Sequence, residues 1–187
     1  MNSINFTANL MKHTQILKRS ENDSFRPVDV SIVELNKDDE QDVKSLYDTT
    51  ILWNYQNAKY SSNIYHEAVK GYEYDDVEGE HYLALTTQNE NHDKLDPDKV
   101  LGLMLFSNER FDTDEITWFQ VRPNTNTKQS WNREYKGVGK AMIDYIKQVN
   151  FFKPIHAMSV PESVEFYKKQ GFEPHEDDIP SSLYYEG

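Results

Sequence analysis

The spacing of hydrophobic and polar positions changes along this chain, and the changes mark its elements. Across 28–35, Val-Asp-Val-Ser-Ile-Val-Glu-Leu, β-branched residues partly alternate with polar ones before a polar stretch at 36–39, which predicts a strand. The pattern then turns helical. Val43, Leu46, Tyr47, Thr50 and Ile51 follow the i, i+3, i+4, i+7, i+8 spacing of one buried face, and Asp38, Asp39 and Glu40 suit the positive end of a helix dipole, so a helix is predicted over 39–52. A second is predicted over 62–71, with Tyr65, Ala68, Val69 and Tyr72 on one side. From His81 the chain shows short runs of strand formers at 81–87, 100–107 and 115–121, divided by polar loops with Asn, Asp and Pro. Loops this short imply an antiparallel meander. A helix over 137–150 follows, its stripe made by Val138, Ala141, Met142, Tyr145, Ile146 and Val149, and then a strand at 155–158. The last predicted helix opens with Ser159 and Glu162 as a capping box and Pro161 in its first turn, and Gly171 closes it. An extended segment ends the pattern at 172–185. Residues 1–25 lack a strong period and are read as an N-terminal extension to a domain spanning 26–187.

Composition narrows the classes. At 187 residues, with no glycine- or proline-rich linker, the chain fits one domain, and its 13% aromatic residues supply core that a hydrophobic fraction of 37% alone would leave thin. There is no cysteine. A disulfide framework and thiolate zinc are thereby excluded, and so is a thiol that could hold an acyl group covalently; no metal site is expected. The net charge of −12 opposes a nucleic-acid partner, which needs clustered Lys and Arg, and favours cationic molecules. Residues 1–19 have no apolar core of signal-peptide type, and the longest apolar run is 100–106, so neither export nor a membrane span is expected and the cytoplasm is the expected location. The assembly state is left open to a homodimer.

One junction carries chemistry. Lys136-Gly137-Val138-Gly139-Lys140-Ala141 opens the helix predicted at 137–150. Glycines there let a ligand approach the backbone, and the first amides of a helix offer donors and a positive dipole end to a pyrophosphate. A P-loop would need glycine at Glu134 and Ser or Thr at Ala141, and a dinucleotide fingerprint would need glycine at Met142, so both fail. Lys128, Arg133, Lys136 and Lys140 place positive charge around the turn of an otherwise acidic protein, with Glu134 opposing them.

Downstream, 161–172 reads Pro-Glu-Ser-Val-Glu-Phe-Tyr-Lys-Lys-Gln-Gly-Phe. This closely resembles the signature of the GNAT superfamily of acyl-CoA N-acyltransferases, a small residue followed by Phe-Tyr, three residues and Gly-Phe. Gly137-Val138-Gly139 resembles the second half of that superfamily's acyl-CoA turn. The resemblance is clear over 100–172 and extends in element order back to residue 28. It implies an α/β (α+β) fold, with a mixed, mostly antiparallel central sheet of six to seven strands flanked by about four helices. It also implies acetyl-CoA as cosubstrate and a primary amine as acceptor, with direct transfer in a ternary complex. By the same resemblance, Phe119, Gln120 and Val121 offer backbone groups to the pantetheine amides from a strand that splays from its neighbour. Lys136, Gly137, Val138, Gly139, Lys140 and Ala141 hold the pyrophosphate, Ser163 lies on the cofactor, and Tyr167 protonates the departing thiolate. The chain departs from the pattern at Glu134, where Gln or Arg is usual, at Val160, where Asn often stands, and in a longer loop over 123–135.

N-acylation needs a neutral amine, so a base must take a proton; the thioester is already activated, and positioning supplies much of the rest. Likeness to the histone-modifying branch implies Glu115, at the start of the central strand, as that base. His81 and His156 are alternative proton acceptors, since imidazole titrates near neutrality. Tyr184 and Tyr185 are candidates to line the acceptor pocket. The alternative reading, motivated by Glu134 and the long loop, is a catalytically inactive CoA-binding sensor or interaction module on the same fold.

Overall fold

The computed structural model describes residues 8–54, 60–70, 79–108, 113–125, 133–150, 153–174 and 180–187. In chain order the elements are β1 (Asn9–Arg19), β2 (Phe25–Leu35), α1 (Glu40–Asn54), α2 (Tyr60–Lys70), β3 (Glu80–Thr86), β4 (Val100–Ser107) and β5 (Asp114–Val121). There follow β6 (Tyr135–Lys136), α3 (Val138–Val149), β7 (Ile155–Met158), α4 (Val164–Lys169), β8 (Glu173–Pro174) and β9 (Ser182–Tyr185). The described strands form one nine-stranded sheet in the order β6-β1-β2-β3-β4-β5-β7-β9-β8. Every pairing is antiparallel except that of β5 with β7.

Alternation of side chains gives the sheet two packed faces. On one, α3 and α4 press Met142, Ile143, Ile146, Tyr167 and Phe172 against strand residues such as Ile32, Leu85 and Met104. On the other, α1 and α2 bring Leu46, Trp53 and Ile64 onto Val33, Leu103 and Leu105. The central strand β4 is buried along its whole length, as a strand covered on both faces must be. Helix α3 packs close against it at Gly102, where a Cβ would stand 2.5 Å from Met142 Sδ. The apolar run 100–106 is thus the centre of the double core.

The meander β3-β4-β5 and the helix-strand-helix run of α3, β7 and α4 follow the sequence pattern closely. The sheet has nine strands rather than six to seven, because β1, β6 and β8 add to it. Of the 25 residues read as an extension, Asn9–Arg19 form β1, which pairs with β2 from Asn9↔Glu34 to Arg19↔Phe25 and buries Ile16 in the core. Most of its apolar residues, Leu10, Met11 and Leu17 among them, are exposed, so the strand has little periodic signal.

Helix α1 turns a different face inward from the one its apolar spacing suggests. Asp42, Ser45, Leu46, Thr49, Thr50 and Trp53 are buried, whereas Tyr47 and Ile51 are exposed. The buried hydroxyls are satisfied locally: Ser45 donates to Gln41 O, Thr49 to Ser45 O and Thr50 to Ser61 O on α2. Trp53 is the large side chain that fixes the rotation. Helix α2 buries Ser61, Ile64 and Ala68 and leaves Val69 exposed, while Tyr72 lies outside the described residues. On α3, Ile143 joins the buried stripe and Val149 leaves it, half exposed at the last turn.

The capping box at Ser159 and Glu162 does not form. The Ser159 N–H donates to Ser181 O beside β9, which removes the donor Glu162 would have accepted, and Ser159 Oγ turns to Val160 O. Pro161–Ser163 is instead a 3₁₀ turn leading into the short α4. Gly171 closes α4 as expected, at φ +81°. Phe172 N–H bonds Tyr167 O, Gly171 N–H bonds Lys168 O, and the Phe172 and Tyr167 rings meet edge-on at 5.4 Å. That is the Schellman motif with its apolar contact. The Tyr-Lys-Lys-Gln-Gly-Phe spacing is therefore a stop signal with both rings in the core.

Asp42 is the costly residue in α1. It is fully buried, Oδ2 accepts the Asn36 N–H at 2.8 Å, Oδ1 has no well-formed hydrogen bond among the described residues, and desolvation pushes its carboxyl from 3.8 up to about 6. A raised carboxyl destabilises the fold where it must ionise. The penalty is present above pH 6 and relieved as pH falls toward 4, at roughly 3 kcal/mol in full. Asp42→Asn removes that dependence. In urea unfolding, the stability of Asp42→Asn relative to the parent should be greater at pH 8 than at pH 4 by about 2 kcal/mol; an equal difference at both pH values refutes it.

Candidate functional site

The site is built where two strands part. β5 and β7 pair in parallel only at Asp114↔Ile155, Glu115↔His156 and Ile116↔Ala157. Thr117 is an extra residue against β4, since Phe106 faces Ile116 and Leu105 faces Trp118. Such a bulge bends its strand and sharpens its twist. Beyond it, 117–121 are all partly exposed, and no β7 residue pairs with them. Arg122 N–H bonds Leu101 O on β4. By the alternation of an antiparallel ladder, the backbone groups of Phe119 and Val121 then face the open edge. Val121 O is met there by the Gln120 side-chain amide at 2.9 Å. Phe119, Gln120 and Val121 thus lie together at the parting.

Next to this edge stands the start of α3. Gly137 has φ +92°, a left-handed conformation that strains any residue with a Cβ, and no side chain caps the helix. Ala141 N–H is bonded to Gly137 O, so the amides of Val138, Gly139 and Lys140 have no carbonyl of their own helix to reach. Gly139 has a different reason for being glycine. A Cβ there would lie 2.9 Å from Phe166 Cζ on α4 and 3.5 Å from Phe119 Cζ on β5. The two rings lean together at 6.3 Å, so Gly139 is the gap that lets α3, α4 and β5 meet. Part of the space over the turn is filled by Phe166.

The basic residues of this region have neighbours. Lys136 Nζ lies 3.6 Å from the centre of the Phe25 ring, Lys140 pairs with Asp144 at 2.5 Å, and Arg133 Nε donates to Tyr135 O. Lys18, which sequence reading did not single out, joins them through β1–β6 pairing and sits 3.9 Å from Glu134. Lys128 lies outside the described residues. Ser163, in the turn before α4, is partly exposed and bonds Val160 O through its backbone.

Tyr167 faces the core. It is 6% exposed, lies edge-on to Phe166 at 5.2 Å and to Phe172 at 5.4 Å, and its hydroxyl shows no hydrogen bond among the described residues. Burial pushes its hydroxyl above the ordinary phenol range, which keeps it protonated. Phe172 continues to Tyr185, over which Lys147 Nζ sits at 3.6 Å while donating to Gln170 O. Tyr185 is thereby on the α4 face and apart from Glu115.

Glu115 is on the opposite face, the α1–α2 side, opposite Ser107 on β4 and His156 on β7. His156 Nδ1 lies 3.8 Å from Glu115 Oε1, and the Tyr184 ring packs against the imidazole at 4.7 Å, tilted by 32°. Trp118 shares this side and stacks under Tyr60 of α2 at 5.9 Å. His81 does not belong here. It sits opposite Phe106, on the α3 face, with Nδ1 2.5 Å from Glu34 Oε1 and Nε2 2.9 Å from Asn108 Nδ2. Of the three proton acceptors read from sequence, the structure brings two together. It adds Trp118 and Tyr60, whose pairing no local spacing signals.

The Gly139–Phe166 contact is testable. Gly139→Val forces a branched side chain into the ring and should lower stability by roughly 1–3 kcal/mol. Phe166→Ala in the same chain should recover part of that loss. A double-mutant cycle by chemical denaturation checks it, and strictly additive costs would show that the ring is not the obstacle.

No family model and no curated protein matches the sequence. Solved structures do. AtaT complexed with acetyl-methionyl-tRNAfMet is 12% identical with a TM-score of 0.51, over 84% of this chain and 94% of that one. An acetyltransferase from Streptococcus agalactiae is 14% identical with a TM-score of 0.48, over 83% and 96%. A protein described as of the GNAT acetyltransferase family, from Desulfovibrio desulfuricans, is 12% identical with a TM-score of 0.48, over 84% and 98%. At such identity a likeness speaks for fold alone, and the AtaT superposition carries it. Together with the mixed sheet, four helices and β5 parting from β7, it gives this chain the GNAT fold.

Proposed function

We propose that the chain transfers an acetyl group from acetyl-CoA directly to a primary amine. The observation that carries this reading is the parting of β5 and β7 beside the uncapped start of α3. An edge with the backbone groups of Phe119 and Val121 turned outward suits the pantetheine amides, and the helix start at Gly137 suits a pyrophosphate. Lys136 and Lys140 would exchange their present partners for phosphate, and Ser163 would flank the arm. Glu115, across the sheet from α3, would take the amine's proton, and Tyr167, held protonated by burial, would supply one to the thiolate. The aromatic pair Tyr60 and Trp118 and the net charge of −12 favour a cationic acceptor. AtaT was captured with an acetylated aminoacyl-tRNA, so an aminoacyl ester belongs in any acceptor panel.

One observation favours the second reading, a CoA-binding module without turnover. Tyr167 is packed between Phe166 and Phe172, and Phe166 lies over Gly139. The two readings separate in one experiment. Calorimetry with acetyl-CoA is expected to show binding, and thiol release is expected with at least one amine. Glu115→Gln should lower kcat by about a hundredfold and Tyr167→Phe by about tenfold, each with little change in CoA affinity. Binding without thiol release from any amine establishes the module; no affinity at millimolar CoA removes both.

A further inference from the structure

Glu115 belongs to a row. Register places Ser107, Glu115, His156 and Tyr184 side by side across β4, β5, β7 and β9. Within the row His156 Nδ1 lies 3.8 Å from Glu115 Oε1, and His156 Nε2 lies 3.1 Å from Ser182 Oγ, two residues before Tyr184 on β9. The Tyr184 ring at 4.7 Å restrains the imidazole plane. Carboxylate, imidazole and hydroxyl thus follow one another across β5, β7 and β9.

We propose that His156, oriented by Ser182 and Tyr184, receives from Glu115 the proton that Glu115 removes from the acceptor, so that Glu115 returns to its carboxylate form in every turnover. This rests on the reading of Glu115 as the base. A carboxylate is a weak base toward an ammonium ion, and an imidazole is a stronger one, so passing the proton onward draws the first transfer forward. The acceptor R–NH₃⁺ gives one proton to Glu115. His156 takes it at Nδ1, through one water across the 3.8 Å gap, as the proton on Nε2 leaves toward Ser182 Oγ and solvent, and exchange with solvent restores the Nε2–H tautomer for the next turnover. The neutral amine forms the C–N bond at the thioester carbonyl, the C–S bond breaks, and the nitrogen's surplus proton balances the thiolate. The sum is amide, CoA thiol and one proton released. His156 is a positioning residue here, acting through Glu115.

Among the described residues, the titratable groups facing His156 are Glu115 from β5, Tyr184 from β9 and, one strand further, Glu173 opposite Tyr184 on β8. Asp114 and Lys153, paired at 3.5 Å, lie on the other face.

The test measures thiol release from acetyl-CoA with benzylamine, spermidine and lysine methyl ester across neutral to alkaline pH. The proteins are the parent, Glu115→Gln, His156→Gln, His156→Ala and Ser182→Ala. His156→Gln and His156→Ala should lose roughly tenfold or more in kcat near pH 7, at unchanged KM for acetyl-CoA, and the loss should shrink as pH rises. Added imidazole should restore part of the rate to His156→Ala and none to Glu115→Gln. A slow Glu115→Gln beside His156 variants at the parent rate overturns the relay and leaves the base reading standing. A parent without turnover, or Glu115→Gln at the parent rate, overturns the base reading and the relay together.

Discussion

The extra residue at Thr117 is the constraint on which this structure turns. Up to Ile116, β5 pairs with β4 on one side and β7 on the other. At Thr117 the register against β4 shifts by one, Thr117 Oγ1 meets Ser107 Oγ at 3.2 Å, and the β7 side is left open. A strand in the middle of a nine-stranded sheet acquires an edge there, and unpaired backbone groups in a sheet interior are unfavourable unless something else satisfies them. Gln120 bonding Val121 O is one such substitute. The register shift also decides faces: it keeps Phe119 toward α4 and sends Trp118 toward Tyr60 on α2.

Around that opening the two faces carry different loads. On the α3–α4 side the contacts are apolar and aromatic, running from Phe119 through Phe166, Tyr167 and Phe172 to Tyr185, with Gly139 fitted beneath Phe166. Lys147 locks the far end by stacking on Tyr185 and bonding Gln170 O, and burial lowers its ammonium from the usual range. On the α1–α2 side the contacts are polar, through Ser107, Glu115, His156 and Ser182. A thioester seated in the opening would have packed rings behind it and titratable groups in front. Such an asymmetry suits a reaction that holds a large cofactor still while protons move.

Much of this was legible in the sequence because it is local. The glycine turn, the Phe-Tyr and Gly-Phe spacing, the buried run of β4 and the three-strand meander each occupy one short window, and the structure returns each at its place. The features that were not legible depend on residues far apart. β1 escaped because a strand with Leu10, Met11 and Leu17 exposed has no buried period to detect. The inward face of α1 was misread because Tyr47 and Ile51 look like core, while hydroxyl residues that bond back to their own helix can be buried without penalty. The capping box failed because Ser181, some twenty residues on, takes the Ser159 N–H.

By itself, the sequence determined the order of elements from β2 to α4 apart from β6, the glycine-containing start of α3, the stop at Gly171 and the acidic, cysteine-free chemistry available. Tertiary structure decided which titratable residues meet. Glu115 and His156 are neighbours only because β7 returns parallel to β5 in one register, and His81 is excluded because its position on β3 puts it through the sheet on the other face. The physical reason is that helix starts, turns and periods are set by nearest neighbours along the chain. Register and face are set by which strand pairs with which, and no window of sequence contains both partners.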